Sequence, residues 1–272
     1  MKLVTNAGDL VGTPIGGKVA TLLHLGEHFP VPALVGLVQS GLDDEEIPCD
    51  LEAFVAEQPT DSLYAIRSSA NVEDSDSLSF AGVFETRLGV TVDQIPNAVR
   101  AVLASRGSAK VHEYAEEKDV DPKTIRMGVG IQRMIRSDVS GVSFSRSPTS
   151  PETNVIVEAI FGLGELLVQG LVTPESWTVP RAGRGAISTV RSHQKEMLIV
   201  DLRGGTRAVK LPSTDRRSNK LTSDEARAVA TMALAVEAAL DVGGADIEWA
   251  FEGGHLWLLQ ARPLTTLGIR NT

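Results

Sequence analysis

The sequence predicts an α+β fold, on three observations. Helical and strand periodicities are mixed without strict β-α alternation. From Ile125 onward, β-rich segments punctuated by glycine, proline and serine take over, and the chain closes on a strand–Gly-Gly–strand hairpin. With 272 residues, 42% hydrophobic and 22% charged, the chain can bury a full core as one large domain or as two lobes sharing a cleft. We divide it into an N-terminal lobe, 1–130, and a C-terminal lobe, 131–272.

The elements follow in order. Gly12 to Gly17 reads as a glycine-containing loop running into a helix through Val19, Leu22, Leu23 and Leu25. The stretch from Pro30 to Thr60, broken by proline and acidic residues, reads as mostly loop. Leu63–Arg67 is strand-like and ends in the polar run Ser68-Ser69-Ala70-Asn71. A long helical pattern then runs from near Asp93 through Val99, Val102, Leu103 and Val111 to Tyr114. Ile125–Ile135, Ser140–Arg146 and Asn154–Ile160 read as strands. Thr222-Ser223-Asp224-Glu225 is a capping-box signature, opening a helix through Ala226, Val229, Ala233, Val236 and Leu240 that Gly243-Gly244 stops.

The formal net charge of −9 argues against a nucleic-acid or anionic-membrane partner. Basic residues gather at Arg181–Arg184 and Arg216–Lys220, which read as solvated loops. The single cysteine, Cys49, has no internal disulfide partner, and its acidic surroundings argue against a catalytic role. No signal-like segment opens the chain and no apolar run approaches ~18 residues, so the expected compartment is the cytoplasm.

The closing hairpin, DIEWAFEGGHLWLLQARP, carries the most chemistry. A two-residue Gly-Gly loop would pair Glu248 with Leu259 and leave Gln260 on the opposite face. A three-residue loop with a glycine bulge pairs Trp249 with Trp257, Ile247 with Leu259 and Asp246 with Gln260, with Glu248 diagonally beside Gln260. The second register is the expected one, because it makes one apolar face and one face of oxygen ligands. A carboxylate and an amide oxygen side by side suit Mg²⁺, which takes its remaining ligands from phosphates and water. Arg262 follows on the same parity, placed to meet those phosphates. The alternative is an edge hairpin with a polar outer face.

Other candidates have equally plain alternatives. Gly16-Gly17-Lys18 at a helix start suits a phosphate, or is a turn with a surface lysine. Arg67 suits a transferring phosphoryl group, or pairs with Glu73, Asp74 or Asp76. Phe80–Thr86 has the make-up of a mobile cover, or is a bland loop. Gly162-Leu163-Gly164-Glu165 is a weak signal alone. The five histidines show no metal or triad spacing, and no Walker-type loop, Gly-x-Ser-x-Gly or His-Glu-x-x-His occurs.

Taken together, five segments resemble the nucleotide-binding end of the phosphoenolpyruvate synthase, pyruvate phosphate dikinase and rifampin phosphotransferase family. They are GGKVATLLHL, AIRSSANVEDSDSLSFAGVFET, IQRMIRSDVSGVSFSRSP, NVIVEAIFGLGELLVQGLVTPE and DIEWAFEGGHLWLLQARPLTT, in family order over nearly the whole chain. The resemblance implies an ATP-grasp fold, two α+β lobes closing on ATP with the adenine between sheets. It implies that Lys18, Arg67 and Arg262 contact phosphates and do the catalytic positioning. Gly82 and Thr86 would sit in the lid, Gln132 and Met134 would line the adenine pocket, Glu158 would contact the nucleoside, and Glu248 and Gln260 would hold Mg²⁺.

The implied reaction passes a phosphoryl group from ATP to a histidine on a separate swivelling domain, with AMP and phosphate as by-products. Neither that histidine domain nor an acceptor-binding domain is expected within this chain. It is therefore expected to be the ATP-binding subunit of a split phosphotransferase, working with a partner chain that supplies both. The alternatives are a stand-alone ATP-grasp kinase or ligase acting on a small molecule, and a non-catalytic nucleotide-binding module. Two departures stand out: the Lys18–Arg67 spacing is about half that of the full-length enzymes, and Val19 stands where the family usually has glycine.

Overall fold

Runs of β-branched and aliphatic residues build two large antiparallel sheets and a two-stranded ribbon. The computed structural model describes residues 1–10, 15–39, 48–72, 84–147, 153–183 and 185–264. The chain divides into a first unit, Met1–Met134 with Asp201–Thr206, and a second, Ile135–Val200 with Arg207–Thr272. No helix among the described residues is long and apolar enough to cross a membrane.

The first unit contains β1 (Lys2–Val4), α1 (Gly17–Leu25), β2 (Leu34–Val38), α2 (Asp50–Ala56), β3 (Tyr64–Ala70), β4 (Thr86–Val90), α3 (Ile95–Ala104), α4 (Ala109–Glu117) and β5 (Met127–Arg133). Its sheet runs β1-β2-β5-β3-β4. One face carries Val35, Leu37, Tyr64, Ile66, Val129 and Ile131, which pack on Ile95, Val99 and Val102 of α3. The other face lies under α1, with Ile15, Val19, Leu23 and Val38 in a second, smaller core. Segment Leu34–Val38, expected as loop, is an inner strand between β1 and β5. Its unbroken apolar run suits a strand buried on both faces, and the flanking prolines and acids concealed that.

The long helix expected from Asp93 to Tyr114 is two helices. The Ser105 hydroxyl donates back to the Val102 carbonyl at 2.6 Å, a 3₁₀ turn follows at Ser105–Gly107, and Ser108 caps α4 by accepting from the Val111 N–H.

The second unit contains β6 (Val139–Phe144), β7 (Asn154–Phe161), α5 (Glu165–Val168), β8 (Glu175–Pro180), β9 (Ser188–Val190), β10 (Glu196–Val200), β11 (Thr206–Lys210), α6 (Ser223–Ala239), β12 (Ala245–Glu252) and β13 (His255–Pro263). Its main sheet runs β13-β12-β6-β7-β8-β9, and β10-β11 form a ribbon. The ribbon's turn belongs to the first unit, where the Gly205 N–H donates to the Gly89 carbonyl at 2.8 Å.

α6 packs on β12, β7, β6 and β8. The residues buried beneath it are of one parity: Ile247, Trp249, Val155, Val157, Ala159 and Trp177. The expected capping box is present: Thr222 Oγ1 accepts from the Glu225 N–H and the Glu225 carboxylate accepts from the Thr222 N–H.

Two basic residues expected in solvated loops are instead structural. Arg181 donates to both Glu237 carboxylate oxygens at 3.0 and 2.9 Å and to the Ser145 carbonyl, and Arg146 joins at 3.1 Å. These bonds hold the Glu237 carboxyl down at about 2, Arg181 contributing most. Lys220 is 4% exposed, with its ammonium bonded to the Ser192 carbonyl and lying over the Phe161 ring. Burial pushes its pKa down, while the Glu175 carboxylate pushes it back up. Glu175, fully buried, accepts from the Trp177 indole and from the Lys220 and Leu221 N–H groups, tying the approach to α6 onto β8.

Candidate functional site

In the first unit the site face is defined by missing side chains. Gly36, Gly130 and Gly128 stand side by side on β2 and β5, and added Cβ atoms there would run into Ile15 and Val19. Their absence lets the start of α1 settle directly on the sheet. Val19, the residue that departs from the family pattern, occupies that space with its side chain over Gly36 and Gly130.

Register then places the candidates. Arg67 lies opposite Gly130 on one side and Thr86 on the other, and Ala65 lies opposite Gln132. Residues directly opposite share a face, so Arg67, Thr86 and Gln132 all lie on the face that α1 covers. Lys18 is the second residue of α1, and the next N–H along, that of Val19, donates to Ser69 Oγ at 3.1 Å. Gln132 is buried, Arg67 is half-buried and Thr86 is exposed. Met134 follows β5, its N–H bonded to the Leu63 carbonyl and its sulfur facing the Gly89 N–H. Gly82, and the acids Glu73, Asp74 and Asp76 weighed as partners for Arg67, lie outside the described residues.

In the second unit the hairpin register differs from the one expected. Gly253 and Gly254, with φ of 57° and 81°, make a two-residue turn between Glu252 and His255. Two consecutive positive φ values match the right-handed twist of the flanking strands and favour glycine at both places. Trp249 therefore faces Leu258 rather than Trp257. A bulge between Glu248 and Trp249 then adds one residue on β13, so Ile247 faces Ala261, Glu248 faces Gln260 and Asp246 faces Arg262. The turn is the one set aside, yet Glu248 and Gln260 end up directly opposed.

The polar row continues across the sheet. Glu248 pairs with Val142, which pairs with Glu158. Glu158, Glu248, Gln260 and Arg262 thus share the face opposite α6. Sequence reasoning left Asp246 without a role, although its spacing from Glu248 puts both on one face. It is 9% exposed, and its Oδ2 accepts from Arg262 at 2.9 and 2.7 Å, which fixes the guanidinium. Burial pushes the Asp246 carboxyl up; Arg262 opposes this and the Glu248 charge reinforces it. Burial also raises Glu158, helped by the Asp246 charge. This face thus gathers one buried carboxylate, Asp246, and two half-buried ones, Glu158 and Glu248, whose charge a cation would relieve.

No group of three or more His, Cys, Asp or Glu side chains clusters to hold a metal among the described residues. A carboxylate–amide pair such as Glu248–Gln260 is a sparser donor set that suits Mg²⁺. Sequence reasoning also missed Gln194, 1% exposed. Its amide accepts from the Phe161 N–H and donates to the Phe161 carbonyl, both at 2.9 Å, anchoring the strand end that leads into Gly162–Glu165.

Residues 43–272 match the family described as pyruvate phosphate dikinase, AMP/ATP-binding domain. The chain belongs to that family. Its ATP-grasp class, implied by the resemblance, goes with that membership, and the α+β class is seen directly in the two sheets and their helices. Residues 1–42, which carry Lys18, precede the matched region.

Among relatives of the dikinase-family domain, a probable phosphoenolpyruvate synthase of Archaeoglobus fulgidus is 35% identical over 214 residues, 78% of this chain and 28% of that protein. A rifampicin phosphotransferase of a Streptomyces species is 34% identical over 225 residues, 82% of this chain and 26% of its own length. The chain thus spans about a quarter of the length of these curated relatives. A solved structure of D-alanine–D-alanine ligase from Bacillus anthracis complexed with ATP aligns with 95% of this chain and 62% of its own, at 11% identity and a TM-score of 0.40.

Proposed function

We propose that the chain binds Mg-ATP and passes a phosphoryl group to a histidine on a partner chain, with AMP and phosphate as the other products. One observation carries this reading: within each unit, the candidates that lie on strands share one face of their sheet, Arg67, Thr86 and Gln132 in the first and Glu158, Glu248, Gln260 and Arg262 in the second. Lys18, Arg67 and Arg262 are read as phosphate contacts, and Gly82 and Thr86 as lid residues. Gln132 and Met134 line the adenine pocket, and Glu158 meets the nucleoside. Glu248 and Gln260 hold Mg²⁺, which supplies charge neutralisation at the phosphate oxygens.

Phosphoryl transfer asks for positioning and electrostatic stabilisation more than covalent help. Lysine and two arginines meet that need, and Asp246 pre-orients one of the arginines. On this reading the partner chain supplies the acceptor histidine and the domain that binds the final acceptor.

Phosphorus NMR of the chain with Mg-ATP, with and without candidate partner proteins, tests the proposal. AMP and phosphate that appear only with a histidine-bearing partner are expected. ADP formed with a small acceptor and no partner would instead mark a stand-alone kinase or ligase. No turnover under any condition would mark a non-catalytic module. Separately, Glu248→Ala is expected to abolish Mg-dependent nucleotide binding, and unchanged affinity would remove the metal assignment.

A further inference from the structure

α1 begins at Gly17 after Gly16, which has no side chain to cap it, and no local cap is made. A helix start leaves several N–H groups without intrahelical partners. Here one of them is met from far away in sequence: the Val19 N–H donates to Ser69 Oγ at 3.1 Å, across 50 residues. Ser69 is fully buried on β3, two positions after Arg67 and therefore on the same face.

Ser69 also sets the approach of the chain to α1. Gly16 has φ of 77°, a left-handed conformation open to glycine, and a Cβ there would overlap the Ser69 carbonyl. Ser69 lies opposite Gly128, where a Cβ would press on the Ile15 carbonyl at 2.8 Å. The turn from Ile15 to Val19 is thus fitted against one short length of β3 and β5.

We propose that Ser69 is a positioning residue of the phosphate site: it caps α1 from across the sheet and fixes Lys18 relative to Arg67. This rests on reading Lys18 and Arg67 as phosphate contacts. Without the Ser69 hydroxyl the first turn of α1 loses an anchor to the strand that bears Arg67, and Lys18 is held less firmly relative to Arg67. The burden falls on ligands with phosphates and spares those without.

The experiment compares wild type, Ser69→Ala and Ser143→Ala. Ser143 is a control: fully buried, its hydroxyl donates to the Ile156 carbonyl at 2.9 Å, on the α6 side of the other sheet. Two readouts are taken: amide exchange at Val19 in the ligand-free protein, and affinities for Mg-ATP and for adenosine. Ser69→Ala is expected to speed exchange at Val19 and to weaken Mg-ATP by about tenfold while leaving adenosine within about twofold. Ser143→Ala should do neither. If Ser69→Ala does not fold, Ser69→Cys, which keeps the volume and weakens the acceptor, takes its place with the same expectations.

Equal weakening of Mg-ATP and adenosine, or unchanged exchange at Val19, would overturn the proposal while leaving the nucleotide reading intact. A wild-type chain that binds neither ligand would overturn the nucleotide reading, and this proposal with it.

Discussion

The two units make a polar face on an antiparallel sheet by opposite means. In the first, the face is cleared: Gly36, Gly128 and Gly130 remove side chains, the start of α1 settles onto them, and Lys18, Arg67 and Gln132 stand around the space. In the second, the face is charged: Glu158, Asp246 and Glu248 share it, with Arg262 bonded to Asp246. One face depends on shape and the other on charge. A site built from shape should break when volume is added and be indifferent to pH. A unit built from charge should respond to protonation and to removal of a single partner.

The largest expected effect lies behind the charged face, at Glu237. Its carboxylate holds Arg181 and Arg146, and removing it leaves two guanidinium groups without their acid. Glu237→Ala should cost about 3–5 kcal/mol, as breaking a buried ion pair does, measured by urea unfolding near neutral pH. The same group gives a pH signature. Its folded pKa of about 2 lies below the ordinary 4.5, so its contribution is complete above the unfolded value and is lost as pH falls towards 2. That loss amounts to roughly 3 kcal/mol. Glu237→Gln should lack it, and equal losses in wild type and variant between pH 5 and pH 2 would refute the charge-built account.

Gly16→Ala probes the shape-built face. A side chain at φ 77° is strained, and here it also meets the Ser69 carbonyl. The expected cost is about 2 kcal/mol, the same at pH 6 and pH 8. A loss that varied with pH would mean that charge, not volume, governs this loop.

These contrasts also mark what a reader of the sequence could see. Strands with two buried faces, such as Leu34–Val38, carry no alternation and were hidden by nearby prolines. The Gly253-Gly254 turn was visible, but the bulge that sets Glu248 opposite Gln260 was not, because nothing local distinguishes the extra residue on β13. Asp246 and Glu248 were legible as a pair by parity alone. The structural roles of Arg181 and Lys220 were not, because they depend on Glu237 and Phe161, each distant in sequence. Family motifs pointed to Lys18 and Arg262, yet Ser69, which bonds to the helix that carries Lys18, and Asp246, which bonds to Arg262, emerge only from packing.

A smaller effect tests the charged face itself. Asp246→Asn keeps the shape but removes the charge that orients Arg262. Stability should change by less than about 1 kcal/mol, because the Arg262 side chain is 41% exposed and stays solvated when its partner loses its charge. Mg-ATP affinity should fall by about tenfold, the outcome of loosening a supporting shell. Titration calorimetry checks this, and full affinity in a stably folded variant would leave Arg262 without need of its partner.

The smallest effect compares the two helix starts. α6 is capped by residues three apart, Thr222 and Glu225, whereas α1 is capped by Ser69 from another strand. Thr222→Ala removes a local cap and should cost about 1 kcal/mol, read as a lower urea midpoint with Mg-ATP affinity unchanged. The hydrogen bonds lost in Thr222→Ala and Ser69→Ala are of the same kind, hydroxyl oxygen to backbone N–H at a helix's third position. A difference between them in phosphate binding would therefore come from where the cap is anchored. If Thr222→Ala weakened Mg-ATP as much as Ser69→Ala, the effect would belong to overall stability, and the distinction between a locally capped helix and a site-bearing one would fall.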